Sequence, residues 1–174
     1  MKVLITSDSH GLTDELLMLV KRHGHETDAL IHCGDSELPA DAEEMKPFFA
    51  VNGNCDFSGG YPNDFVKEIG PVTFLVTHGH LYNVKMTVMN LMYKAEEVGA
   101  NIVCFGHSHI AGSFKEDNRI FINPGSLRLP RNSVEKTYVI CEIAGQKVAV
   151  IYYNDKGKRV DALCKSYNLE IKKS

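Results

Sequence analysis

The sequence predicts an α/β (α+β) fold: a four-layer sandwich of two mixed β-sheets packed face to face, with helices on the outer faces. Three observations carry this reading. Short apolar runs of strand length alternate with amphipathic stretches of helical period. Each half of the chain holds a strand, a helix and a strand, a loose two-fold echo without a fixed repeat. No linker or low-complexity segment interrupts the 174 residues, so one domain over residues 1–174 is expected, long enough for a sizeable core.

The elements follow in order. Residues 2–6 read as a buried strand. Thr13 is placed to cap a helix, Asp14 and Glu15 enrich its first turn, and Leu16, Leu17 and Val20 give it an apolar stripe. His23-Gly24 closes it. Residues 29–33 form the next strand, and a strand-helix-strand unit of this kind is parallel and right-handed. The polar stretch 39–46 predicts a short helix, followed by a strand at 48–51 and a turn at Gly53.

The second half opens with strands at 64–69 and 72–77 about the Gly70-Pro71 turn. Residues 84–98 predict an amphipathic helix with Met86, Met89, Leu91, Met92 and Ala95 as core filling, ended by Gly99. A buried strand follows at 102–105. Residues 112–116 and 119–122 form a hairpin about Asp117-Asn118, and 137–143 and 147–153 another about Ala144-Gly145. The tail 158–174 is basic and weakly patterned, and no element is assigned to it.

Composition narrows the function. Hydrophobic residues make up 44% and charged residues 24%, the balance of a globular chain and not of a disordered one. A net charge of -3 offers no broad positive field, so strong nucleic-acid binding is not expected. No apolar run is long enough to cross a bilayer, and residues 3–5 enter a strand directly, so no membrane partner and a cytoplasmic location are expected. The five cysteines are odd in number and irregular in spacing, which fits free thiols; Cys33, Cys104 and Cys141 lie in apolar runs as small core residues.

The informative residues stand where strands should stop. Asp8 and His10 follow the first strand, Asp35 the second, Asn54 the third, His78 the fifth, and His107 and His109 the sixth. In an extended chain residues two apart point the same way, so Asp8 with His10, and His107 with His109, are expected to reach one ion as pairs. Each alone is weak, because turn Asp, turn Asn and surface His are common. Together they form a set of Asp, Asn and His that suits a hard or borderline catalytic cation, and they suffice for two. His23 and His25 read as capping or solvent-facing, and His32 as a core histidine.

The order Asp-x-His, Gly-Asp, Gly-Asn-x-Asp, a lone His and Gly-His-x-His resembles the calcineurin-like metallophosphoesterases over residues 3–153. Short length, Gly53-Asn54-Cys55-Asp56 and Asn123-Pro124-Gly125-Ser126 resemble its small bacterial and archaeal phosphodiesterases. The resemblance implies the two-sheet metallophosphoesterase fold and two divalent cations, Mn²⁺ foremost, with Ni²⁺, Zn²⁺, Fe²⁺ or Co²⁺ also accepted by such ligands. It places Asp8, His10 and His109 on one metal, Asn54, His78 and His107 on the other, and Asp35 between them. It implies in-line attack of a metal-bridging hydroxide on a small phosphodiester. Dimers or larger symmetric assemblies are common among such relatives.

Many members carry His where this chain has Cys55. A thiol is a poorer proton shuttle, so either Cys55 acts as a weak acid beside Asp56, or it packs while water or His80 protonates the leaving group. Arg128 and Arg131 are candidates for a substrate phosphate, with solvated charges the commoner fate, and residues 123–126 for the rim of the site. Two other functions share these residues: a protein-binding scaffold on the same fold, as in eukaryotic relatives of membrane-coat assemblies, and a phosphomonoesterase.

Overall fold

Alternation along single strands separates the layers in the computed structural model, which describes residues 1–171. In β1 (Lys2–Thr6), Val3 and Ile5 face one core and Leu4 the opposite one, all fully buried. The same period-two alternation splits β6 (Ile102–Cys104) and β8 (Arg119–Asn123): Ile102, Cys104, Ile120 and Ile122 face inward, Val103 and Phe121 outward. The inward set of both sheets forms the central core. The outward sets pack against α1 (Asp14–His23) through Leu16 and Leu19, and against α2 (Met89–Glu97) through Leu91 and Ala95. The result is the predicted order of helix, sheet, sheet, helix.

The first sheet runs β11-β10-β9-β1-β2-β3. Here β2 is Ala29–His32, β3 Phe49–Ala50, β9 Thr137–Ala144, β10 Lys147–Asn154 and β11 Lys165–Asn168. The second runs β4-β5-β6-β8-β7, with β4 Asp64–Ile69, β5 Val72–Thr77 and β7 Gly112–Glu116. In the first sheet β1, β2 and β3 are mutually parallel; in the second β5, β6 and β8 are. The carboxyl ends of each parallel triple therefore open on one edge, the usual place for a site in such sheets.

Several expectations change. Stretch 39–46 is a chain of turns, not a helix, closed by amide bonds such as Met45 N to the Ala42 carbonyl (3.0 Å). The helix expected at 84–98 begins only at Met89; Asn83 takes a left-handed φ of 56°, and the Thr87 hydroxyl accepts from Met89 N at 3.2 Å, a turn that competes with helix. Met86 and Met89 are consequently exposed and fill no core. On α1 the buried residues are Leu16, Leu19 and His23, a 3.6-residue stripe, while Leu17 lies about one-quarter turn away in solvent. Thr13 makes no side-chain cap bond, and Gly24 is right-handed. His23 is buried, with Nδ1 on Glu26 (2.7 Å) and Nε2 on the Tyr138 hydroxyl (2.8 Å).

The tail contains an unforeseen edge strand. β11 is mostly polar and exposed, so no alternation betrays it; pairing with β10 makes it a strand, and Leu169 buries completely behind it. Its Tyr167 hydroxyl meets the Ser113 hydroxyl at 2.8 Å, tying the edge to the other sheet. The remainder of that tail, 172–174, lies outside the described residues.

Candidate metal centre

Three loops of one design build the site. After β1, Asp8-Ser9-His10 carries φ values of 52° and 43° at its first and third residues. After β2, Asp35-Ser36-Glu37 carries 54° and 56°; after β6, His107-Ser108-His109 carries 67° and 59°. All six are left-handed, a conformation that Asp and His adopt more readily than most residues and that costs on the order of 1–3 kcal/mol each. This corrects the extended-chain expectation: the paired side chains converge because both flanking backbones turn left-handed, not because the loops are strands.

The middle serine anchors each loop. Ser9 Oγ meets His32 Nε2 at 2.8 Å, Ser36 Oγ donates to Asp56 Oδ1 at 3.3 Å, and Ser108 Oγ accepts from Asn123 Nδ2 at 3.0 Å. Two loops also depend on glycine. A Cβ on Gly53 would collide with the Asp35 carboxylate, and one on left-handed Gly34 would stand 2.8 Å from His78 Nδ1.

The imidazoles are fixed by their far nitrogens. Nδ1 of His78 lies 2.7 Å from the Cys33 carbonyl, and Nδ1 of His109 lies 2.7 Å from the Leu129 carbonyl. A carbonyl only accepts, so each Nδ1 carries the proton and each neutral ring presents a bare Nε2. His10 Nδ1 is likewise held by Glu37 Oε1 at 2.6 Å. The bare nitrogens then face oxygens and one another. His109 Nε2 lies 3.1 Å from Asp8 Oδ1, and His78 Nε2 lies 3.2 Å from both Asp35 Oδ2 and Asn54 Oδ1. Asp8 Oδ1 is buried and accepts no hydrogen bond among the described residues, although Oδ2 of the same carboxylate takes Ser7 Oγ and His107 N.

Asp8, His10, Asp35 and His109 each offer a ligand atom within 4.8 Å of the others. Beside them stand His78 and Asn54, and the His107 ring is 5.1 Å from that of His78. Asp35 lies between the two groups: Oδ1 accepts from Cys55 N at 2.8 Å while Oδ2 faces His78 and, at 4.0 Å, His10. An acceptor-only cluster with an orphaned buried carboxylate oxygen fits a divalent cation.

Electrostatics follow the geometry. Burial opposes the charged form of Asp35, but the His78 contact and the Cys55 amide outweigh it and hold the carboxyl well below its ordinary range. The His78 ring is likewise penalised by burial yet raised overall by Asp35 and Asp8. The contact with Asp8 raises His109. Burial, then the neighbouring His78, lowers His107 to about 4.

Asn54 joins the donor cluster, and the three residues weighed for proton transfer, Cys55, Asp56 and His80, divide. Asp56 does not face the cluster: Oδ2 accepts from the Asp35 and Gly53 amides at 2.8 and 2.7 Å, and Oδ1 from the Glu37 amide at 2.7 Å. It is a buried clamp that joins the turn after β3 to the Asp35 loop, which corrects its assignment as a partner in acid catalysis. Burial and then Asp35 push the Cys55 thiol up to about 11, so it keeps its proton near neutral pH. The His80 ring packs 5.3 Å from His78 and 6.0 Å from His107, with a buried Nδ1 that has no partner among the described residues.

Arg128 commits one guanidinium nitrogen to the His10 carbonyl. Asn123 and Ser126 lie beneath the site and not on its rim: Ser126 Oγ donates to the Asp8 carbonyl at 2.7 Å. Glu37 and His32 were missed as parts of the site. Glu37 repeats the i, i+2 spacing of the other two loops, a signal the sequence offered; nothing local marks His32 as the support of Ser9.

Two mixed sheets whose parallel strands end in facing carboxylates and imidazoles define the metallophosphoesterase class. The chain belongs to the calcineurin-like phosphoesterase superfamily, whose domain profile matches residues 1–146. A Bacillus subtilis (strain 168) protein named probable metallophosphoesterase YsnB is 46% identical over 163 residues, 94% of this chain and 96% of that one. The crystal structure of a predicted phosphoesterase from Streptococcus pneumoniae TIGR4 superposes with a TM-score of 0.93 at 33% identity, covering 96% of this chain and 97% of the other. Vps29 of Chaetomium thermophilum shares the fold at 16% identity and a TM-score of 0.77, over 98% of each chain.

Proposed function

We propose that the protein is a divalent-metal-dependent phosphodiesterase with a dinuclear centre, acting in the cytoplasm on a small phosphodiester. One observation carries the reading: the Nε2 atoms of His78 and His109 converge on carboxylate and amide oxygens at 3.1–3.2 Å, a set of donor atoms that a cation would hold together. Asp8, His10 and His109 would hold one ion, Asn54, His78 and His107 the other, with Asp35 shared. Two such ions, when bound, neutralise charge on phosphoryl oxygens and supply a water acidic enough to react near neutral pH. Manganese suits this oxygen-and-imidazole set and is the first ion to test.

The residues of the chain supply order. Glu37, the Cys33 carbonyl and the Leu129 carbonyl hold three rings in their ligating tautomer. Asp35 stays ionised across the working range. During hydrolysis one ester P–O bond breaks, the oxygen of water replaces it, and the departing oxygen takes a proton. His80, whose ring lies beside those of His78 and His107, is the candidate to meet that oxygen; a thiol near 11 is a weak donor. Esters with good leaving groups should therefore react best. No helix among the described residues is long and apolar enough to cross a membrane.

The test is release of 4-nitrophenolate from bis(4-nitrophenyl) phosphate with added Mn²⁺, beside the monoester 4-nitrophenyl phosphate and the Asp35→Asn variant. Diester turnover well above both supports the proposal. Preference for the monoester makes the protein a phosphomonoesterase, and no turnover above Asp35→Asn leaves the scaffold reading in its place.

A further inference from the structure

Beside the His107-Ser108-His109 loop lies a groove of about 500 Å³, a volume typical of small-ligand sites. Its apolar wall includes Val88, Phe105, Ile110 and Phe114. Phe105 is almost fully buried, whereas Ile110, the residue after His109, is 42% exposed. The charged residues lining the groove are Lys85 and Arg131, both exposed, with no carboxylate among them. Neither cation forms an ion pair among the described residues. In a chain of net charge -3, two cations on an apolar groove lined by no carboxylate form a local field opposite to that of the whole molecule.

The groove shares one loop with the metal centre, although no donor of the cluster lines it. Ser108 lines it while its neighbours His107 and His109 belong to the donor cluster, and the Arg131 amide donates to the His109 carbonyl at 3.0 Å.

We infer that this groove receives one organic arm of the substrate, and that this arm carries an apolar, ring-sized group together with a second negative charge. The inference rests on the phosphodiesterase reading and deepens it. The apolar wall favours a ring over a short alkyl chain. The two cations favour an anionic substituent on that ring, in addition to the charge at the reacting phosphorus.

The experiment keeps the leaving group constant and varies the other arm. Methyl, phenyl and 4-carboxyphenyl esters of 4-nitrophenyl phosphate are compared by kcat/KM in the manganese-loaded protein. The expected order is carboxyphenyl, then phenyl, then methyl, with about tenfold between first and last. In Lys85→Glu and Arg131→Glu the ratio of carboxyphenyl to phenyl should fall below one; a general effect on the metal centre would move both esters alike. Equal rates for the carboxyphenyl and methyl esters, or a ratio untouched in both variants, overturns the inference. If no ester turns over, the phosphodiesterase reading falls. Calorimetric binding of 4-carboxyphenylphosphonate against methylphosphonate, judged by the same ratios, then decides the groove separately.

Discussion

The Nε2 atoms of His10 and His109 stand 3.2 Å apart, and neither has a proton to give in its neutral form. Glu37 claims the proton of one ring and the Leu129 carbonyl that of the other. While both rings are neutral the two lone pairs at this separation repel, and either a proton on His109, which Asp8 favours, or a cation relieves them. The fold holds them there through left-handed loops and buried serines, and the cost is recovered when a cation binds.

Relieving that repulsion without metal is the first test. In Asp8→Asn the amide NH₂ would replace the orphaned Oδ1 and donate to His109 Nε2, while the amide oxygen keeps the Ser7 and His107 bonds. The metal-free variant should be about 1 kcal/mol more stable than the parent by urea unfolding. Manganese at a hundredfold excess over Kd stabilises the parent by about 2.7 kcal/mol, and the variant should lose most of that gain. A variant less stable than the metal-free parent would count against the facing-acceptor account.

Asp56 and Cys55 are sequence neighbours with different jobs. Asp56→Ala removes the acceptor of three backbone amides, two of them on left-handed residues, and should destabilise the protein by more than about 3 kcal/mol. Cys55→Ala leaves those bonds in place and should change stability by less than about 1 kcal/mol. Denaturant midpoints of the two variants, measured side by side, decide it.

Glu37→Gln keeps the shape but weakens the hold on His10 Nδ1. Manganese affinity should drop about tenfold, the usual effect of losing an outer partner of a ligating imidazole. Unchanged affinity would mean that Glu37 merely sits beside the ring.

Proton linkage gives a further expectation. The contact with Asp8 raises His109; His78 is lowered by burial but raised overall by Asp35 and Asp8. A raised imidazole adds stability to the metal-free protein below its ordinary value of 6.5, and that contribution disappears as pH climbs through the folded value. Metal must displace those protons, so affinity should increase with pH across the same window. Calorimetry in buffers of different ionisation enthalpy should find proton release near pH 6.5, fading at higher pH. His32, lowered to about 4 by burial, should remain neutral throughout in histidine NMR spectra.

Much of the fold was legible because each strand buries alternate residues on two cores, and runs such as residues 72–77 have no other use. The helix at 84–98 was overlong because its methionines mimic a core stripe, while Asn83 and Thr87 favour turns that only the surrounding chain selects. Asp8, His10, Asp35, Asn54, His78, His107 and His109 could be picked out because carboxylates, amides and imidazoles at successive strand ends share one edge once the strands are parallel.

The sequence by itself determined which donor atoms exist and that parallel strands carry them to a common edge. The tertiary structure alone decided where protons reside: whether a ring offers a lone pair depends on a carbonyl or carboxylate contributed from elsewhere, as Cys33 does for His78 across 45 positions and Glu37 for His10 across 27. It also made Asp56 a clamp and left a groove lined by two cations and no carboxylate. The physical reason is common to all three. Spacing along a chain fixes which side chains are available, whereas hydrogen bonding and charge depend on what stands opposite, and that is settled only when the sheets close on each other.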